Sequence, residues 1–187
     1  QQGGRPAFLI RSVLATLTVP VYGIYSGFEL CENTPVPGKE EYLDSEKYQF
    51  KGRDWNAPGN IKDFITRLNL IRKENRAFRE YDNLRLHTAE NDSILCFSKS
   101  TPALDNIVVV ALSLDPWNNQ SAFVNLPLEE FGLEPGEEYV MEDLLTGEKF
   151  QWQGSRNFIA LDPHTRPAHV FRVRRPIGRE AGEVLYA

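Results

Sequence analysis

The pattern of apolar and polar residues divides the chain into a helical part and a part rich in strands. Helical spacing recurs in residues 5–17, and again in a stripe made of Ile61, Phe64, Ile65, Leu68 and Ile71. Pro6 suits the first turn of one helix and Asn60 the N-cap of the other. Between the two, residues 19–25 form a short apolar run that is typical of a buried parallel strand.

From about residue 84 onward, the period of the apolar residues changes to two. Seven strands are predicted, at residues 93–98, 106–114, 122–126, 138–142, 149–152, 158–161 and 168–173. The Thr146-Gly147 pair predicts the hairpin turn between two of them. Short strands at this spacing favour an antiparallel sandwich.

The order of these elements predicts an α/β part followed by an all-β part. A single buried parallel strand needs neighbours on both sides, so the first part does not close a core by itself. We therefore expect residues 1–83 to be the last βα repeat of a TIM (β/α)8 barrel, with helix 7, strand 8, a long loop and helix 8. Residues 84–175 are expected to form an antiparallel C-terminal β-sandwich, and residues 176–187 a frayed tail.

Composition narrows the class of protein. With 187 residues, 41% of them hydrophobic, the chain has enough apolar material for a packed core, and its net charge of −5 argues against a general nucleic-acid or anionic-membrane binder. The basic residues Lys62, Arg67, Arg72, Lys73 and Arg76 are predicted to form a solvated helix face. Two cysteines 65 positions apart form neither a disulfide framework nor a zinc signature. The chain begins at Gln1 without a signal-peptide pattern, which predicts a cytoplasmic piece of a longer protein.

Few residues indicate chemistry directly. Hydrolase, phosphate-loop and zinc-protease motifs are absent from the sequence, and no metal or cofactor is predicted. Trp117 and Trp152 could stack on a sugar or pack in the core, and this stays open. Residues 20–48, dense in Glu, Asp, Lys and Tyr, follow the predicted parallel strand. Since loops after barrel strands build the active site, this loop is a plausible site wall.

Several sequence blocks resemble one known family. They are GGRPAF (3–8), YSGFELCENTP (25–35), EYLDSEKY (41–48), RDW (53–55), ITRLNLIRKEN (65–75), LDP (114–116), DLLTGE (143–148) and RPAHV (166–170). These blocks are similar to the α-1,4-glucan:maltose-1-phosphate maltosyltransferases, a group within glycoside hydrolase family 13 of the α-amylase superfamily. Pro20, Tyr25, Gly27 and Glu29 match the superfamily's strand-eight pattern, with Thr18 in place of the usual glycine. The similarity covers residues 3–174 and implies a C-terminal fragment.

The resemblance implies a retaining transfer of maltosyl units from α-maltose 1-phosphate to the non-reducing end of α-1,4-glucans. The catalytic carboxylates would lie upstream of Gln1, so this chain is expected to hold no catalytic residue and to be inactive alone. Lys47 and Tyr48 match the family's Lys-Tyr pair that contacts the maltosyl part of the donor. Glu29 and Glu46 are possible site-wall or structural-corner residues. The full-length protein is expected to be a homodimer.

Two alternatives remain at this point. One is a non-catalytic carbohydrate-binding or interaction β-sandwich with a residual barrel segment, in which Trp117 and Trp152 provide affinity for glucan. The other is an amylase or a trehalose-forming relative, against which the Glu46-Lys47-Tyr48 block argues.

Overall fold

A computed structural model describes residues 2–39, 41–43 and 50–174. Two helices come first, α1 (Gly4–Thr18) and α2 (Lys62–Glu74), and a short 3₁₀ helix (Phe28–Leu30) lies between them. Another short helix (Arg76–Arg79) leads into the strands. The strands are β1 (Leu84–Ala89), β2 (Ile94–Ser100), β3 (Ile107–Ser113), β4 (Gln120–Asn125), β5 (Glu138–Asp143), β6 (Lys149–Gln153), β7 (Arg156–Leu161) and β8 (Ala168–Arg174), with a 3₁₀ helix (Leu128–Phe131) after β4.

The strands form one eight-stranded antiparallel sheet in the order β6-β5-β8-β3-β2-β1-β4-β7. β1 makes the corner, because residues 84–87 pair with β2 whereas Thr88 and Ala89 pair with β4. The end strands β6 and β7 come into contact, so the sheet is nearly closed like a barrel. This corrects the predicted seven-stranded sandwich. β1 is missing from the prediction because its burial does not alternate regularly, and its apolar Leu86 is 69% exposed.

The hairpin between β5 and β6 turns at Thr146-Gly147, as predicted. Gly147 has a φ of +81°, a left-handed conformation that favours glycine. Its amide donates a hydrogen bond to the Asp143 carbonyl at 2.7 Å, and the Asp143 amide donates to the Glu148 carbonyl at 2.8 Å. The turn therefore sets the register of the hairpin.

Strand β3 is buried on both faces, which explains its unbroken apolar run. All seven of its residues are buried. Val109 and Ala111 face the core enclosed by the folded sheet, whereas Val108 and Val110 face the helices. A strand covered on both sides needs apolar residues at every position and so loses the alternation of a half-exposed strand.

The two helices cover the outer face of the sheet. Val13 and Leu17 of α1 and Leu68 and Ile71 of α2 are each 0% exposed, and they share one cluster with Val110. The predicted apolar stripe of α2 is thus confirmed as a packing face. Burial of each such side chain contributes about 1.5–3 kcal/mol to stability. This shared core crosses the predicted boundary at residue 83, and the division into residues 1–83, 84–175 and 176–187 stays a prediction.

Residues 19–25, predicted to be a buried parallel strand, form no strand in the structure. Val21 is 73% exposed and Tyr25 is 52% exposed. A parallel strand exists only with neighbours to bond, and within the described part of the chain no strand pairs with this segment. Residues 19–25 are thus apolar in sequence without forming a strand, and the barrel remnant that they were expected to represent is not shown.

Two basic residues of α2 are not solvated as predicted. Arg67 Nε donates to the Leu144 carbonyl at 2.7 Å. Arg72 donates to the Thr16 carbonyl at 2.9 Å and to the Pro20 carbonyl. The last carbonyls of a helix have no intrahelical partner, so the Arg72 guanidinium satisfies the end of α1. The two arginines thus join α2 to the sheet and to α1.

The start of α2 lies one residue later than predicted. Ile61 is the N-cap, and its carbonyl accepts a hydrogen bond from the Ile65 amide at 3.0 Å. Asn60 lies just before it, and its Oδ1 accepts a bond from the Lys62 amide at 3.3 Å. Asp63 lies in the first turn, where a negative charge is favourable.

Among the helices that the structure describes, none has both the length and the apolar character needed to cross a membrane.

Candidate functional site

The polar loop after residue 25 begins with a sharp turn at Gly27. Gly27 has a φ of +95°, and its amide donates to the Glu29 Oε2 at 3.2 Å. The Glu29 carbonyl in turn accepts the Ile61 amide at 2.8 Å, next to the start of α2. Glu29 is half-buried. Its side chain therefore holds this turn, and its expected place at a site wall or structural corner stays a prediction.

A group of three charged side chains ties the end of the loop to its beginning. Arg53 Nε lies 3.1 Å from Glu32 Oε1, and Lys51 Nζ lies 3.3 Å from the same oxygen. The Arg53 side chain is only 3% exposed. A second guanidinium nitrogen donates to the Ser26 carbonyl at 3.4 Å. One carboxylate thus holds two cations that follow it by about twenty positions, and we call Glu32, Lys51 and Arg53 the loop-base cluster.

The outgoing limb of the loop folds back on itself. The Leu43 amide donates to the Thr34 carbonyl at 2.8 Å, and Pro35 and Tyr42 form an antiparallel bridge. The Tyr42 ring lies 6.2 Å from the Tyr25 ring. The chain therefore enters residues 44–49 beside Thr34 and returns from them beside Glu32. The predicted donor-site residues Glu46, Lys47 and Tyr48 lie outside the described residues.

Apolar contacts fix the base of this loop on the helices. The Phe28 ring packs on Phe8 of α1 at 5.0 Å, in a cluster that includes Ile61 and Ile65. Cys31 has a φ of +57° and its Sγ lies 3.7 Å from the Gly59 carbonyl. Burial raises the pKa of the Cys31 thiol, with the nearby Arg5 opposing the rise. Cys31 is thus a small, half-buried side chain that packs at the base of the loop.

A cavity of about 230 Å³ lies between α1 and residues 22–25. Arg11, Tyr22, Tyr25 and Phe28 contribute to its lining. Tyr22 donates its hydroxyl to Asn69 Oδ1 at 2.5 Å, and the Arg72 guanidinium lies 4.8 Å from the centre of the Tyr22 ring. Among the described residues, the lining offers apolar faces and hydrogen-bonding groups and includes no pair of carboxylates, so its chemistry suits the binding of a ligand.

The two tryptophans considered for sugar stacking differ in burial. Trp152 is 7% exposed and packs on Phe171 at 5.3 Å, so its surface is occupied by the core and the sugar-contact hypothesis is wrong for it. Trp117 is 61% exposed, and its amide donates to Asp115 Oδ1 at 2.8 Å. Hydrogen bonds from Asn118 and Trp117 lower the pKa of Asp115 to about 2. Of these two tryptophans, only Trp117 keeps a surface that a ligand could reach.

The sheet holds a buried polar pair that the sequence did not indicate. His169 Nδ1 lies 2.7 Å from Asp143 Oδ2, with side chains 5% and 0% exposed. The His169 ring stacks on Phe171 at 4.7 Å. His169 is therefore a packed core side chain, and its partner Asp143 lies 26 positions away, beyond any local pattern. In the described residues no three His, Cys, Asp or Glu side chains group as metal ligands.

The arrangement of helices and sheet is similar to parts of solved amylase-type enzymes. An α-amylase of Anoxybacillus superposes with a TM-score of 0.60 at 17% identity, over 92% of this chain and 33% of that one. A γ-CGTase from alkalophilic Bacillus clarkii superposes with a TM-score of 0.61 at 16% identity, over 90% of this chain and 23% of that one. The fold of this chain is therefore that of the matched parts of these two enzymes.

Sequence comparison is more specific. A family model described as "GLGE, C-terminal" matches residues 86–173. The α-1,4-glucan:maltose-1-phosphate maltosyltransferase of Rhodospirillum rubrum is 52% identical over 92% of this chain, and that of Pseudomonas aeruginosa is 49% identical over 94%. Over more than nine-tenths of its length the chain is therefore similar to proteins named α-1,4-glucan:maltose-1-phosphate maltosyltransferase, which confirms the resemblance. It spans about a quarter of the length of these relatives, 25% and 26%.

Proposed function

We propose that this chain is part of a retaining maltosyltransferase. The enzyme moves maltosyl units from α-maltose 1-phosphate to the non-reducing end of α-1,4-glucans and releases phosphate, as in glycogen synthesis. The observation that carries this proposal is the 52% identity to a maltosyltransferase over 92% of the chain. The alignment spans 173 residues, so it extends beyond the matched β-rich residues 86–173 into the helices and the polar loop.

The bond-making step is proposed to use residues outside this chain. Retention needs a carboxylate nucleophile and a carboxylic acid about 5–5.5 Å apart. The two carboxylates at the base of the described loop have other partners, since Glu29 accepts the Gly27 amide and Glu32 binds Arg53. We therefore assign no catalytic residue here, and the 187-residue chain alone is expected to be inactive. Residues 1–83 would complete a catalytic barrel in a cytoplasmic, homodimeric enzyme.

Binding of the donor is the part of the reaction assigned to this chain. Lys47 and Tyr48 would contact the maltosyl group, the ammonium as a donor to sugar hydroxyls and the phenol as both donor and acceptor. Such contacts hold the anomeric carbon in place without taking part in the chemistry. The described residues on either side support this assignment, because Leu43 bonds to Thr34 and the loop-base cluster joins Lys51 and Arg53 to Glu32.

The test is Lys47→Ala in the longer enzyme. We expect kcat/KM for the donor to fall about tenfold, since a charge-assisted hydrogen bond is worth about 1.5 kcal/mol or more, while thermal stability is unchanged. Lys39→Ala is the matched control, because Lys39 is an exposed lysine on the same loop. Unchanged kcat/KM for the donor in the Lys47 variant would contradict the assignment.

A further inference from the structure

A shallow depression lies on the β-rich part of the chain, along strands β4 and β7, and we call it the β4–β7 depression. Its volume is about 460 Å³, and its lining includes Asn119, Ser121, Phe158, Asp162 and Thr165. We propose that it binds an α-1,4-glucan chain. The choice of this polymer rests on the proposed function, whereas the presence of a sugar site rests on the aromatic and polar side chains of the depression.

Phe158 provides an aromatic face that the chain leaves open. It pairs directly with Phe123 across the two strands, and the ring centroids lie 5.4 Å apart in an edge-to-face contact. The Arg156 guanidinium lies 3.5 Å from the centre of the Phe123 ring and so covers it. Phe158 is 56% exposed. A glucose ring carries C–H groups on its faces, and packing them against the Phe158 ring removes apolar surface from water.

Hydrogen-bonding groups lie beside this ring. Ser121 is exposed and lies on β4 two positions before Phe123, the partner of Phe158, so its hydroxyl is on the same face and about 7 Å along the strand. Asn119 and Thr165 are also exposed. Hydroxyl and amide groups both donate and accept, which matches the hydroxyls of a sugar. The depression therefore combines an aromatic platform with polar groups at its edge.

The charged side chains of the described lining already have partners, which favours an uncharged ligand. Arg166 Nη2 lies 2.6 Å from Glu148 Oε2. Asp162 Oδ2 accepts the Thr165 hydroxyl at 3.0 Å, and its Oδ1 accepts the backbone amide of residue 164 at 2.8 Å. A phosphorylated sugar would compete with Glu148 for Arg166, whereas a neutral glucan leaves the ion pair intact. The charges therefore favour the polymer over the phosphorylated donor.

Hydrogen bonds hold the start of β4, where two of the polar groups are placed. Gln120 Nε2 donates to Asp115 Oδ2 at 2.8 Å, and Gln120 Oε1 accepts a bond from Asn91 Nδ2 at 2.9 Å. Asn119 and Ser121 are the chain neighbours of Gln120, so their backbone is ordered before a ligand arrives. An ordered site loses less conformational freedom on binding, which raises its affinity.

The experiment measures glucan binding by the 187-residue chain in native gels cast with and without glycogen. Glycogen should retard the wild-type chain, and Phe158→Ala should weaken the affinity about tenfold. Tyr81→Ala is the matched control, because Tyr81 is an aromatic residue that is 72% exposed and lies before β1. It should bind like the wild type. No retardation of the wild-type chain, or equal retardation of the wild type and Phe158→Ala, overturns the inference.

A second variant separates loss of the ring from loss of folding. Phe158→Leu keeps an apolar side chain next to Phe123 but removes the flat aromatic face. We expect its affinity for glycogen to fall about as far as in Phe158→Ala, with thermal unfolding like that of the wild type. Wild-type binding by Phe158→Leu would overturn the stacking role of the ring. Retardation by dextran or hydroxyethylcellulose as strong as by glycogen would overturn the choice of an α-1,4-glucan.

Failure of this inference and failure of the proposed function give different results. If Phe158→Ala binds glycogen like the wild type, the glucan site is wrong, and the proposed function still stands or falls with Lys47→Ala in the longer enzyme. If glycogen binding depends on Phe158 but Lys47→Ala leaves kcat/KM for the donor unchanged, the glucan site stands and the donor assignment is wrong.

Discussion

The sheet of residues 84–174 and the loop of residues 19–59 are stabilised by different forces. In the sheet, β3 is buried at every position and its neighbours bond it along both edges. In the described part of the loop, Phe50 is 94% exposed and Trp55 is 45% exposed. Apart from the packing of Phe28 on Phe8, this part is held by individual polar contacts such as the Glu32–Arg53 pair. The sheet is thus a scaffold built by hydrophobic burial, whereas polar contacts have the larger share in the candidate site.

This difference has a consequence for mutations. A core substitution in the sheet removes part of a large shared apolar cluster and is expected to lower global stability. A substitution in the loop-base cluster removes one of a few contacts and is expected to open the loop while the sheet stays folded. The sheet, the helices and the sheet corner each offer a substitution that tests this contrast.

The largest loss of stability is expected when a polar residue inside the sheet is removed. Such a loss would show that a simple division into an apolar scaffold and a polar loop does not hold. Asp143→Ala leaves His169 Nδ1 and the Leu145 amide without their partner, bonds of 2.7 and 2.9 Å. Because the site is buried, we expect the free energy of unfolding to fall by about 3 kcal/mol in urea titrations. Glu148→Ala, in the adjacent turn, should cost less than about 1 kcal/mol, since its ion pair is exposed. Equal losses in the two variants would contradict this account.

A smaller effect is expected where α2 meets α1. Arg72→Met keeps an apolar stem but removes the hydrogen bonds to the Thr16 and Pro20 carbonyls. We expect the free energy of unfolding to fall by about 2 kcal/mol, as measured by urea unfolding. Lys73→Met is the matched control, because Lys73 is the next residue on α2 and is exposed. A loss as large in the control would mean that Arg72 acts only as a surface charge.

The sequence predicted the sheet better than the candidate site. Both helices and seven strands follow from periodicity, because a buried face repeats along one element at a fixed spacing. Residues 19–25 show the limit of this reasoning: an apolar run indicates burial but does not supply the neighbouring strand that burial needs. β1 shows the opposite case, since pairing on both edges makes it a strand although Leu86 is 69% exposed.

The polar contacts of the site could not be predicted from local patterns. Glu32 and Arg53 are 21 positions apart, and Arg72 and Thr16 are 56 apart, so no periodicity relates them. The basic residues of α2 look alike in the sequence, yet only the fold decides which of them meet a carbonyl. Lys47 and Tyr48 were recognised through the family resemblance, and their roles stay a prediction.

The smallest effect concerns the corner strand β1, where His87 links pH to stability. His87 Nε2 lies 2.7 Å from Ser98 Oγ, and burial lowers the pKa of His87 from 6.5, although Glu130 opposes the shift. Below pH 6.5 the unfolded chain therefore binds a proton more readily than the folded chain, and stability falls as the pH falls. We expect the midpoint of urea unfolding to drop between pH 7.5 and pH 5.5, and to drop less in His87→Gln. The part of the loss in free energy of unfolding that depends on His87 should be smaller than the loss caused by Arg72→Met. If acidification lowers the midpoint equally in both proteins, other groups carry the pH dependence and the corner is not its source.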